Sequence, residues 1–144
     1  MTGQTDLEQL LAQLSPVLRE PIYVFCTLPK GRLENSIDLE PLASFQELEG
    51  LTLILRQDKA DQAGLKYEGV FRCITLSVHS SLTAVGLTAA VSSALTKEGI
   101  SANIVAAYFH DHVFVPSMKA KDALCVLGAL QSSSVDEACS FQSI

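Results

Sequence analysis

Between Val70 and Leu130 the apolar residues recur first at a spacing of two, then at three and four, then twice more at two, and finally at three and four again. That order reads as strand, helix, strand, strand, helix. Val70, Ile74, Leu76 and Val78 fall opposite Phe71, Cys73, Thr75 and Ser77, a strand with two distinct faces. The spacing predicts a helix over Thr83–Glu98 that buries Leu87, Val91, Ala94 and Leu95. Its other side carries Thr88, Ser92, Ser93 and Thr96, whose hydroxyls can bond back to the preceding turn. Gly99 supplies its C-terminal stop. Ala102–Phe109 and His112–Val115 form a hairpin with its turn at His110-Asp111. Ser117 then caps a helix carrying Ala120, Ala123, Leu124, Leu127 and Leu130. Helices backing an antiparallel sheet make an α+β fold.

The first half repeats this plan loosely. Thr5 and Glu8 form a capping box for a helix over Asp6–Leu14, with Leu7, Leu10, Leu11 and Leu14 on one face. Ile22–Leu28 reads as a strand closed by Pro29-Lys30-Gly31, and residues 32 to 43, with Pro41, read as a connection. Ser44–Glu49 and Leu51–Arg56 are strands around Glu49-Gly50, followed by a short helix that Asp58 caps and Gly64 ends. Leu53-Leu55 and Lys59-Ala60-x-x-Ala63 recur as Val113-Val115 and Lys119-Ala120-x-x-Ala123. The long helix has no full counterpart before Ser44, so the first lobe reads as a degenerate copy. The expected division is a lobe over 1–68, a lobe over 69–131 and a flexible serine-rich tail over 132–144, where Cys139–Ile144 can add an edge strand.

Charge excludes some functions. A net charge of -6 is wrong for a general nucleic-acid binder, which needs basic surface to displace counterions from phosphates. No run approaches the roughly 18 apolar residues of a spanning helix, and the acidic, amphipathic beginning is not an export signal. The reading is a cytoplasmic protein with neither membrane nor nucleic acid as partner. From Thr83 to Phe109 the only charged side chains are Lys97 and Glu98, which implies extensive packing, part of it in a homodimer. Cys26, Cys73, Cys125 and Cys139 include no Cys-x-x-Cys pair and read as reduced core thiols.

Val85-Gly86-Leu87, Leu95-x-x-x-Gly99-Ile100 and Asn103-Ile104 stand at the spacing found in ACT domains, and residues 70–130 resemble that family. Tyr23-Val24-Phe25, Glu49-Gly50-Leu51-Thr52-Leu53 and His110-Asp111-His112-x-Phe114-Val115-Pro116 extend the likeness. They resemble small bacterial two-lobed ACT-like proteins of uncharacterised function. The resemblance implies tandem ferredoxin-like βαββαβ lobes, with antiparallel sheets and helices on one face. It also implies ligand binding at the strand-to-helix turn. One departure stands out. Where many ACT domains have Asp-x-Pro-Gly, this chain has Thr83-Ala84-Val85-Gly86, so a carboxylate for a ligand's ammonium group has to come from another residue.

The candidate binding residues are Ser80, Ser81, Val85, Gly86, Leu87, Asn103 and Ile104. A glycine at the turn lets backbone approach a ligand, and helix N-terminal amides favour a carboxylate. Asn103 offers both a donor and an acceptor to a zwitterion. The plain structural explanation is that Ser80 or Ser81 caps the helix, Gly86 allows tight packing and Asn103 satisfies a hairpin end. His110-Asp111-His112, even with His79, lacks a clear fourth metal ligand, and turn chemistry accounts for Asp111. Neither metal nor cofactor is expected. His79 beside Ser80 is poor evidence for a nucleophile and base, since neighbours on a strand face opposite ways. With no Gly-x-Ser-x-Gly elbow or phosphate loop, no enzymatic activity is expected. The expected function is non-catalytic, regulatory binding of a small molecule, an amino acid foremost. The competing reading is a structural protein–protein interaction module that has lost ligand binding.

Overall fold

A computed structural model describes residues 6–29 and 38–142, with side chains followed through Ser134 in the last helix. The elements are α1 (Leu7–Ala12), β1 (Pro16–Leu28), β2 (Ala43–Gln46), β3 (Leu51–Arg56), α2 (Gln57–Gln62), β4 (Phe71–Leu76), α3 (Leu87–Lys97), β5 (Asn103–Ala106), β6 (Asp111–Pro116) and α4 (Ala120–Gln142). They divide into two units: Glu20–Arg72, and the residues up to Arg19 together with those from Cys73 onward.

In the Glu20–Arg72 unit the strand order is β2-β3-β1, antiparallel throughout. Val24, Cys26 and Leu28 of β1 and Leu51, Leu53 and Leu55 of β3 point to one side, where they pack with Leu39 and Ala60. Gly50, just before β3, approaches its neighbour closely: a Cβ there would stand 2.4 Å from the Leu28 carbonyl oxygen. In the other unit the order is β4-β6-β5. Ile74, Leu76, Val113 and Val115 bury one face of that sheet against Val91 and Leu95 of α3 and Ala123 and Leu127 of α4. Both units share the α+β build expected of tandem lobes. The repeat shows in burial as well: β3 and β6 run through the same pattern of buried and part-buried positions over their first five residues.

Several elements depart from the sequence expectation. The leading helix does not serve the first lobe. Leu10 and Leu14 are fully buried in the core of the Cys73-onward unit, and α1 packs on α3 and α4. Its N-cap is Asp6, whose carboxylate accepts from the Glu8 and Gln9 N–H groups at 3.0 and 3.4 Å; Thr5 lies outside the described residues. β1 begins at Pro16 rather than Ile22 because Leu18 still packs inward, despite two prolines in the strand. α2 starts without a side-chain cap, and Asp58 instead pairs with the Arg56 guanidinium at 3.0 Å. Asp111 is not in the turn but is the first residue of β6, opposite Ala106. The region expected as a loose tail is helical to Gln142, so no edge strand forms before that residue. Its serines return their hydroxyls to the preceding turn, Ser132 to the Gly128 carbonyl and Ser134 to that of Leu130.

Cys26 and Cys73 are buried, and burial pushes both thiols up, at Cys26 with help from the Asp61 carboxylate. Cys125 is exposed, because its place between Leu124 and Val126 turns it to the outer side of α4. No described helix is long and apolar enough to cross a membrane.

Candidate functional site

Beyond β4 the chain runs on beside its own beginning, with the Ser77 and Val78 N–H groups donating to the Ser15 and Leu14 carbonyls at 3.2 and 3.4 Å. It then turns through residues 79–86 before entering α3. Within this turn the Ser81 hydroxyl accepts the Thr83 N–H at 3.2 Å and lies 2.8 Å from the Thr83 hydroxyl. That local bonding occupies the serine expected to cap the helix. The cap is Gly86 instead, at φ 100°, with no side-chain bond to the first turn. A left-handed residue cannot continue a helix, which is why α3 starts at Leu87 and not at Thr83.

Above this start lies a small cavity of about 70 Å³, lined by Ser80, Ser81, Leu82, Ala84, Leu87, Thr88, Ala106 and Asp111. Ser80 and Asp111 are each only 8% exposed, and the Ser80 hydroxyl donates to the Asp111 carboxylate at 3.3 Å. The cavity thus combines a buried carboxylate with the first residues of a helix, groups of opposite polarity. Leu82, which lines the cavity, is exposed, as are Val85, Tyr108 and Phe109 in the flanking turns. Phe109 packs against the His79 ring, centroids 5.5 Å apart, and against Tyr108 at 5.0 Å.

The structure brings Ser80, Ser81 and Leu87 together at this cavity. The other candidates stand elsewhere. Val85 is 82% exposed. Over Gly86 the space is taken by Leu7, whose Cδ2 would stand 3.0 Å from an added Cβ. Asn103 is exposed on β5, opposite Phe114, and Ile104 packs against the core.

Asp111, Thr88 and Ala106 were not among the residues expected here. For Asp111 a signal existed in the repeat. At the offset that pairs Leu53 with Val113, Asp111 aligns with Leu51; both open their strands, and each stands opposite the last residue of the preceding strand, Ala106 or Gln46. Leu51 is 6% exposed, a core leucine. The second lobe has placed a carboxylate where the first keeps an apolar side chain.

The histidines do not assemble a metal site. Nδ1 of His112 is bonded to the Thr75 hydroxyl at 3.0 Å, while Nδ1 of His110 is buried without a partner among the described residues. No three His, Cys, Asp or Glu side chains among the described residues converge on one point.

Comparison with known proteins bears on both lobes. Residues 2–72 and residues 68–129 each match a family model described as an ACT domain. A Vibrio cholerae protein of unknown function, described with its crystal structure as a "Possible Transport Protein", is 52% identical with a TM-score of 0.80. That match covers 87% of this chain and 95% of the other. An Agrobacterium tumefaciens protein is similar at 16% identity and TM-score 0.64, covering 81% of this chain and 87% of its own. The ligand-free regulatory subunit of aspartate kinase from Thermus thermophilus shares the fold at 11% identity and TM-score 0.61, covering 82% of this chain and 97% of its own. Among curated proteins none matches.

Proposed function

The chain belongs to the ACT-domain family, and from that premise we propose that it is a non-catalytic regulatory protein that reversibly binds an amino acid at the start of α3. The observation that carries this reading is Asp111, a buried carboxylate beside the free amides of a helix N-terminus. Burying a charge costs stability unless something is gained by it. The ammonium group of an amino acid would meet Asp111 and the Ser80 hydroxyl. Its carboxylate would meet the first-turn N–H groups at Leu87 and Thr88, the Ala90 N–H being already bonded to the Gly86 carbonyl. Asp111 thereby takes over the task of the carboxylate missing from Thr83-Ala84-Val85-Gly86.

The cavity volume of about 70 Å³ admits a head group but not a large side chain. The ligand's side chain would project past Leu82 to the rim, where a second copy of the chain completes the pocket. In this reading Ser80, Ser81 and Leu87 touch the ligand and Gly86 shapes the turn. Val85, Asn103 and Ile104 serve the rim and the β5 edge of a homodimer. Regulation follows from whatever difference in affinity the ligand has for two arrangements of that contact.

The test is a thermal-shift screen of the common amino acids on the protein and on Asp111→Asn. One amino acid, or a few related ones, should raise the Tm of the parent by mass action and leave the variant unmoved. Equal shifts in both proteins, or silence at millimolar concentration, would sink the proposal. Silence would favour the interaction module instead, a reading that the exposed Leu82, Val85, Tyr108 and Phe109 make specific.

A further inference from the structure

Two turns frame the α3 cavity: residues 79–86 ahead of α3, and residues 107–110 between β5 and β6. The second springs directly from the cavity wall, because Ala106 and Asp111, paired at the end of the hairpin, both line it. The two turns also touch, through the Phe109 ring on that of His79. Neither contains a Lys, Arg, Asp or Glu. Their exposed side chains are apolar instead, Leu82, Val85, Tyr108 and Phe109. Inside the cavity Ala84 and Ala106 add to that surface. The hydroxyls are engaged, Ser80 with Asp111 at 3.3 Å and Ser81 with Thr83 at 2.8 Å. Past the first turn, the next charged side chains in sequence are Lys97 and Glu98, at the far end of α3 and about 15 Å from its start. Asp6 and Glu8 flank the Leu7 that covers Gly86, but neither lines the cavity, and the Asp6 carboxylate is bonded to the Glu8 and Gln9 N–H groups.

From this we infer the ligand class of the α3 site: an amino acid whose side chain is apolar. The inference rests on the amino-acid reading of that site and adds what the side chain must be. Asp111 is committed to the ligand's ammonium group, so a charged side chain leaving the cavity past Leu82 gives up hydration without gaining a counter-ion. Each methylene laid against Leu82 and the aromatic turn leaves water and adds to affinity. In a two-fold contact made through these turns, the partner presents the same uncharged turns. The completed pocket therefore stays apolar.

Isothermal titration calorimetry of the full chain with alanine, norvaline and norleucine tests this. Lysine, which is norleucine carrying a terminal ammonium, and glutamate, which is norvaline with a carboxylate for its last methyl, are the charged counterparts. Affinity should rise about two- to fourfold with each methylene, and neither lysine nor glutamate should bind better than alanine. Leu82→Ser should pull norleucine down toward alanine. Leu82→Asp should weaken norleucine and strengthen lysine; opposite signs for two ligands on one variant cannot come from a folding defect. Asp111→Asn should abolish binding of the whole series. A flat series, or lysine or glutamate binding more tightly than its apolar counterpart with Asp111 still required, would overturn the ligand class and leave the α3 site standing. Absence of binding by every member, or binding undiminished in Asp111→Asn, would remove the site and the ligand class together.

Discussion

Among the described residues the side chain of buried Asp111 is bonded to the Ser80 hydroxyl alone, at 3.3 Å, which is a long bond for a carboxylate. The repeat offers the natural control: Asp111→Leu restores the side chain that the first lobe keeps at Leu51. Replacing a poorly compensated buried charge by an apolar residue of similar volume is often stabilising, so urea unfolding should show a gain of about 1 kcal/mol together with loss of any amino-acid-induced Tm shift. A loss of stability would mean that Asp111 is a structural residue after all. His112 makes a second prediction at this scale. Burial lowers its imidazole pKa, Arg19 and His110 nearby lower it further, and Asp111 pulls the other way. With the folded value below the ordinary 6.5, the unfolded chain takes up the proton first as pH falls. Stability fully present above the ordinary 6.5 is therefore lost as the pH falls through and below it. His112→Gln should flatten that part of the Tm-against-pH curve; an unchanged slope would assign it elsewhere. The shift at His112 was not legible in the string of residues, and the burial of Asp111 only through its alignment with Leu51 in the repeat. His110-Asp111-His112 looks like turn chemistry until the register places Asp111 in β6, because burial depends on which residue opens the strand.

Periodicity located nearly every described strand and helix, because apolar spacing is a property of the element itself. β3 begins and ends where its alternation of Leu51, Leu53 and Leu55 does. Ends set by tertiary contacts were less visible. α3 starts four residues late because Gly86 is left-handed, and that conformation is paired with Leu7 packed above it. α4 outruns its apolar face to Gln142 through a serine-rich stretch that composition alone reads as loose. The residue just before that stretch ties two helices together. The Gln131 side chain donates to the Ala12 carbonyl at 3.0 Å and accepts the Ser15 N–H at 3.1 Å, stapling the end of α1 to α4. Gln131→Ala leaves both backbone groups without that partner and should cost about 1–3 kcal/mol. Hydrogen exchange should then quicken at Ser15 more than in β4. Uniform exchange across the unit would mean that the staple carries no local stability.

At the scale of the molecule, two lobes were legible from the internal echo of Leu53-Leu55 in Val113-Val115, but the allocation of the first nineteen residues was not. An amphipathic helix shows that it has an apolar face without showing which core receives it. Here Leu10 and Leu14 are fully buried among Ile74, Leu76, Val91, Leu95 and Leu127, so the second lobe is built from both ends of the chain. A fragment of residues 69–144 contains every residue of the α3 cavity yet lacks these two leucines. Truncating one buried leucine to alanine costs about 2–5 kcal/mol, and a domain's whole stability is about 5–15 kcal/mol, so loss of the entire helix should leave the fragment without fixed tertiary structure. Its amide spectrum should be poorly dispersed, and fusing residues 1–19 to its start through a flexible linker should restore dispersion and, with it, any response to amino acids. A well-dispersed spectrum from residues 69–144 alone would show that the lobe is self-sufficient and that α1 is an accessory. Dispersion restored without ligand response would separate the fold of this unit from the completion of its site, and would move the search for the missing part to the homodimer contact at the rim.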